Sequence, residues 1–434
     1  MINDNEVAVN VEPADRYIAE RIRNRIQSLP PLKSCIYRVP EKFRIGKEEV
    51  YMPKIIAIGP YHRNNPKLEA MEEHKQRYLQ AFLIRCSKQL EEVVKSIRVL
   101  QQDARDCYAD PINDMSTDDF IIMMLVDGCF ILELLCRYSD DVEETNDQIF
   151  MSTWMIPSLR RDLVMLENQI PFIVLEALFK FINNSTAKRV YNINRIIIPF
   201  FDAIIPTIQQ AQAKEDTKGK HLLDLLRSQL LPSSQLVEFG SYVYWEFTKC
   251  ATDIHEAGVK FKKRMNGDGL LDIRFENGVL EIPPFYFGES VTVLLPNMIA
   301  LEQCQGYSDQ ITSYIFLLNS LINSPNDVKL LRDRDIIDSM FNEDERVAIA
   351  IGSMCKGVVV NEFYYDLLCH RVNVYCRKWR ATWNRNYLKS LQRDYFNSPW
   401  AFVSFIAAVI LLALTFTQTL YSILSYYAPS QNHS

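Results

Sequence analysis

STDDFIIMMLVDGCFILELLCRY, residues 116–138, is the stretch on which the fold turns. Ser116, followed by Thr117, Asp118 and Asp119, has the composition of a helix N-cap. Beyond the cap the segment is apolar on nearly every face, so it is either a membrane span or the buried central helix of a bundle. Asp127 at mid-helix would cost about 3 kcal/mol in lipid, and Glu133 adds to that. Inside a protein core the same carboxylates can cap or bridge neighbouring helices. The segment therefore reads as the central helix of a mainly α, multi-helix bundle.

Outward from it, helical spacing dominates. Leu68, Met71, Leu79, Phe82, Leu83, Cys86, Leu90, Val93, Val94, Ile97 and Leu100 recur at threes and fours, which predicts one long helix from Leu68 to Gln101. Ile18, Ile22, Ile26 and Leu29 predict an amphipathic helix over 16–29, ended by Pro30–Pro31 and set off in an N-terminal segment, 1–34. CIYRVP (35–40) and PKIIAIGPYH (53–62) are β-prone. Arg160 to Ile182 predicts a helix that Pro171 breaks or kinks, with Glu167, Asn168 and Gln169 placed to satisfy the freed backbone groups. TIQQAQAKEDTKG, near 207–219, reads as a polar linker, after which HLLDLLRSQLL returns to helix. Asn277-Gly278 predicts a type I′ hairpin within 270–284. Its register sets Arg274 opposite Glu281 as a pair, with Ile273, Phe275, Leu280 and Ile282 on the other face.

The chain closes on an uncharged run, Trp400 to Tyr427. Residues 400–421 are long and apolar enough for a transmembrane helix, with Trp400 and Tyr421 at its two interfaces and a short tail, 422–434, beyond. Arg371, Arg377, Lys378, Arg380, Arg385, Lys389 and Arg393 precede it, and no Lys or Arg follows. The positive-inside bias predicts a single-pass membrane protein with its body, residues 35–393, in the cytosol. The polar, acidic N-terminus carries no signal-peptide pattern, and the ten cysteines are irregularly spaced, so they are expected to be reduced. A net charge of −6 gives no reason to expect a nucleic-acid partner, and 13 glycines in 434 residues argue against Gly-rich phosphate loops.

Chemistry is sparse. There is no G-x-S-x-G elbow, P-loop or G-x-G-x-x-G after a strand. His255 in HEAGV lacks the second His of a zinc-protease motif, and Cys369-His370 with Cys376 lacks a companion pair, so core thiols are expected. Asn266-Gly267-Asp268-Gly269 lacks the acids of a calcium loop. Asn183 and Asn184 begin glycosylation sequons that stay inert in the cytosol. No catalytic, cofactor-binding or metal-binding residue is assigned.

An ordered series of strings, IGPYH (58–62), LVDGCFILELL (125–135), DLVMLENQIPF (162–172), HLLDLLR (221–227), EAGVKF (256–261), LEIP (280–283) and NMIALEQC (297–304), with SPW before the terminal span, resembles the plant-specific domain of unknown function 247. KCATDIHEAGVKF departs from the usual form at Ile254-His255. The resemblance covers Cys35 onward and implies a helical domain with a C-terminal anchor and no established catalytic residue. It also implies the roles reported for members: self-recognition between pollen and stigma, and sex determination through suppression of female organs. The expected function is protein–protein recognition or signalling at a membrane, reached through 400–421, with a protein partner. The alternative is an enzyme whose first candidate residues are Glu167, Asp127 and His221.

Overall fold

The computed structural model describes residues 13–27, 33–140, 147–185, 192–205, 217–232, 246–265, 269–341, 343–395 and 399–427. Within them the N-terminal half is helical: α1 (Pro13–Gln27), α2 (Glu41–Arg44), α3 (Ala70–Cys86), α4 (Leu90–Asp106), α5 (Thr117–Ser139), α6 (Gln148–Met151), α7 (Met155–Leu163), α8 (Phe172–Ser185) and α9 (Asn194–Phe201). As the apolar composition of 116–138 predicts, α5 is the centre. It packs on α3, α4, α8 and α9, with every residue from Leu125 to Cys136 buried. Ser116 caps it, its hydroxyl oxygen accepting from the Asp119 N–H at 3.1 Å. Gly128 lets α8 approach, since a Cβ there would meet the Leu178 side chain at 2.5 Å.

The C-terminal half adds α10 (Leu222–Leu230) and α11 (Ala251–Glu256). Four strands follow: β1 (Lys260–Lys263), β2 (Arg274–Glu276), β3 (Val279–Ile282) and β4 (Phe285–Phe287). The chain then forms α12 (Val291–Gln305), α13 (Gln310–Leu321), α14 (Pro325–Arg332), β5 (Ile337–Ser339), α15 (Asp344–Met354), α16 (Asp366–Tyr395) and α17 (Pro399–Tyr427). The hairpin β2–β3 has the predicted register, Arg274 against Glu281 and Phe275 against Leu280. Asn277 and Gly278 both have positive φ, 51° and 80°, as a type I′ turn requires. β1 adds to β3 in parallel, and β4 pairs with β5 in a separate parallel ribbon, neither of which local spacing signals.

Several expectations are corrected. The predicted helix 68–101 is two helices, because Ser87 is left-handed (φ 51°) and the Lys88 N–H closes α3 on the Leu83 carbonyl at 3.3 Å. The apolar period runs through this turn because both helices press an apolar face on α5. Residues 35–40 and 53–62 form no strand; in this region only Ile36 makes a bridge, to Tyr108. Of the two outcomes predicted at Pro171 the chain takes the break: eight residues separate α7 from α8. Arg274 faces Glu281 but takes Asp272 at 2.8 Å, while Glu281 binds Lys262 and Arg264 at 2.8 and 3.0 Å.

Cys369 and Cys376 are buried in α16, and all ten cysteines are free thiols. Of the predicted linker 207–219, residues 207–216 lie outside the described residues, as do 266–268; of the predicted tail 422–434, residues 422–427 continue α17 and 428–434 lie outside. Val403–Leu424, 22 residues of α17, is long and apolar enough to cross a membrane, and none of it is buried against the body.

Candidate functional site

Residues 54–62, KIIAIGPYH, run without a neighbouring strand, so their buried N–H groups must find side chains. Asp162 in α7 takes three of them on Oδ2: Lys54 at 2.9 Å, Ile55 at 2.8 Å and Ile56 at 3.1 Å. Asn168 accepts from the Ile58 N–H at 2.7 Å and donates to the carbonyls of Ile56 and Asp162 at 3.1 and 2.9 Å. Asp127 accepts from the Gly59 N–H at 2.8 Å and holds the Lys75 ammonium of α3 at 2.8 Å. Burial opposes the Lys75 charge, but Asp127 and Glu72 outweigh it and keep its pKa above the ordinary value. Gly59 has φ +74°, and a Cβ there would sit 2.5 Å from the Gln169 carbonyl oxygen, so the turn admits only glycine.

This pinned loop ends in Tyr61 and His62. The Arg38 guanidinium lies 4.5 Å over the Tyr61 ring. His62 Nε2 is 3.2 Å from Glu167 Oε2, and Glu167 Oε1 accepts from the Val39 N–H at 2.5 Å and from Arg44. Burial pushes the Glu167 carboxyl up, but His62, Arg44 and the Val39 N–H hold it below the usual range. His62 forms the inner wall of an open groove of about 780 Å³, lined also by Glu49, Met52, Pro53, Lys54, Tyr61, Asn64, Asn65 and Lys67.

The same lattice continues behind the groove. Gln169 Nε2 donates to the carbonyls of Leu163 and Met165 at 2.7 and 2.8 Å, while Oε1 accepts from the Leu223 N–H at 3.2 Å. His221 caps α10 by accepting the Asp224 N–H on Nδ1 at 3.3 Å, and Nε2 bonds the Cys35 carbonyl at 3.0 Å. Asn297 of α12 accepts the Leu166 N–H at 2.9 Å and donates to the Val50 carbonyl at 3.0 Å. Glu302 receives Arg227 at 2.7 Å, together with the Ile311 and Thr312 N–H groups at 3.0 and 2.8 Å. Asp127, Asp162, Glu167, Asn168, Gln169, His221, Arg227, Asn297 and Glu302 lie in the strings quoted above for the resemblance, and together they build one buried polar lattice.

Residues 36–414 match the family model of a plant protein of unknown function, DUF247. The chain belongs to the DUF247 family. UPF0481 protein At3g47200 of Arabidopsis thaliana is 32% identical over 422 residues, covering 90% of this chain and 87% of the relative. Putative UPF0481 protein At3g02645 of the same plant is 22% identical, covering 88% and 89%. No solved structure matches the chain significantly.

In this DUF247 protein the three candidate acid–base residues are not brought together. Asp127 bridges α5 to α3, as its place at mid-helix predicts. His221 is a sealed N-cap whose pKa burial pushes down to about 4. Glu167 stands behind His62, and none of the three lines the groove. Asn168 and Gln169 do satisfy the backbone freed before Pro171, whereas Glu167 turns to His62 and Arg44, partners that sequence spacing does not reveal. His255 closes α11 by bonding the Val259 carbonyl at 2.9 Å. Among the described residues no three His, Cys, Asp or Glu side chains converge as metal ligands.

Proposed function

We propose that this DUF247 member is a membrane-anchored recognition protein. In this reading α17 holds the body on the cytosolic face of a membrane, and the groove beside His62 receives a segment of a protein partner. The observation that carries it is α17 itself: an apolar helix with no buried face on the body has lipid as its natural solvent. The basic residues Arg371 to Arg393 before the span support a cytosolic body. The groove mixes Lys54, Lys67, Asn64 and Asn65 with the apolar Met52 and Pro53, the composition of a polar interface rather than a dry substrate pocket. The reproductive roles implied by the resemblance rest on that resemblance alone.

One observation favours a second reading. His62, positioned by a carboxylate at the wall of an open groove, has the arrangement of a general base. A photoreactive residue at Asn64, in the full-length chain expressed in plant membranes, separates the two. Recognition predicts a discrete protein adduct that Lys54→Glu with Lys67→Glu abolishes. Absence of any protein adduct, with a small molecule captured instead, would refute recognition at this groove and favour the enzyme.

A further inference from the structure

Among the described residues, α1 leaves its apolar side chains in the open. Ile18, Ile22 and Ile26 repeat every fourth residue and form one stripe, yet they are 54%, 52% and 60% exposed. Tyr17 beside them is 64% exposed. A helix of 15 residues is marginal in water alone, so α1 needs a surface to stay folded. Its charged positions, four arginines against the two acids Asp15 and Glu20, favour an anionic surface. Arg16, Arg21 and Arg23 are exposed, with Arg21 on one side of the stripe and Arg23 on the other. Aliphatic stems at those places can lie along an apolar boundary while their guanidinium heads reach anionic phosphates.

We propose that α1 lies in the surface of an anionic phospholipid membrane, the one that α17 enters, with Ile18, Ile22 and Ile26 at the headgroup boundary and the flanking arginines on lipid phosphates. The inference rests on the anchoring proposed above. Two attachments, a spanning helix and an in-plane helix, would hold the body at both ends of its sequence. An amphipathic helix of this size binds weakly alone and is curvature- and charge-sensitive. Tethering by α17 raises its effective concentration at the surface, so weak affinity suffices.

The test is hydrogen–deuterium exchange of the full-length chain in proteoliposomes of phosphatidylcholine, with and without phosphatidylserine. Backbone amides of 13–27 are expected to exchange about tenfold more slowly, or slower still, when phosphatidylserine is present. High salt should remove most of that difference. Ile18→Asp with Ile22→Asp and Ile26→Asp should return the segment to fast exchange, while Thr117–Ser139 is unchanged and serves as the folding control. Arg21→Gln with Arg23→Gln should abolish the dependence on phosphatidylserine. Fast exchange of 13–27 in both lipids would overturn the proposal. So would equal, salt-insensitive protection in both, because that places α1 on protein. Flotation reads the anchor separately: the triple isoleucine variant must still float with the vesicles. If it sinks while the wild-type chain floats, α1 rather than α17 is the attachment, and the anchor reading fails instead.

Discussion

At His221 the imidazole is held neutral by burial, and its two nitrogens are committed to Asp224 N–H and the Cys35 carbonyl. Its folded pKa of about 4 lies below the ordinary 6.5, so on acidification the unfolded chain takes the proton first. Stability is therefore lost as pH falls from 6.5 towards 4, by about 3 kcal/mol over the full window. Glu167 acts in a different window: its depressed pKa contributes stability above the ordinary 4.5 that is lost only at lower pH. Urea unfolding between pH 7 and 5 should thus show a slope that His221→Asn removes, even though its midpoint starts lower. Asp127 and Lys75 make a second prediction. Asp127→Leu takes the buried carboxylate from the Lys75 ammonium and leaves it only the half-exposed Glu72 and the Ala57 carbonyl, so it should cost about 3 kcal/mol. Adding Lys75→Met should bring the total below the sum of the single changes by roughly 2 kcal/mol. Strict additivity would mean that the pair makes no contribution.

The α3–α4 break is the element where the sequence pattern misleads most. Thirty-odd residues of threes-and-fours spacing predict one helix, because periodicity reports which face is buried and not whether the backbone turns. Ser87 at φ 51° bears the strain of that turn, so Ser87→Gly should stabilise the protein by about 1 kcal/mol, read as a higher urea midpoint. Destabilisation would argue for a continuous helix. Other elements were readable for definite reasons. Asn277-Gly278 names its own turn, Ser116 its own cap, and Asp127 at the middle of an apolar run points to a neighbouring helix. The candidate site was not readable. The loop 54–62 looks like a strand because it is apolar and extended, and what pins it are Asp162, Asn168 and Asp127, far off in sequence. Likewise His62 and Arg44 reach Glu167 only through the tertiary fold. Local pattern carries no signal for such contacts.

For the molecule as a whole, the anchoring proposed above gives one chain two solvents, water for the body with its buried polar lattice and lipid for the bare apolar helix α17. A cytosolic body requires that the sequons at Asn183 and Asn184 never meet the glycosylation machinery of the lumen. In plant cells the protein should migrate unchanged after deglycosylation. A shift abolished by Asn183→Gln with Asn184→Gln would reverse the topology and turn the body into an ectodomain. The most direct measurement compares carbonate extraction of the full chain with that of a chain ending at Tyr395. The full chain should stay in the membrane pellet, and the shortened chain should be soluble and unfold cooperatively. A full chain released by carbonate, or a shortened chain that stays in the pellet, would contradict anchoring by α17.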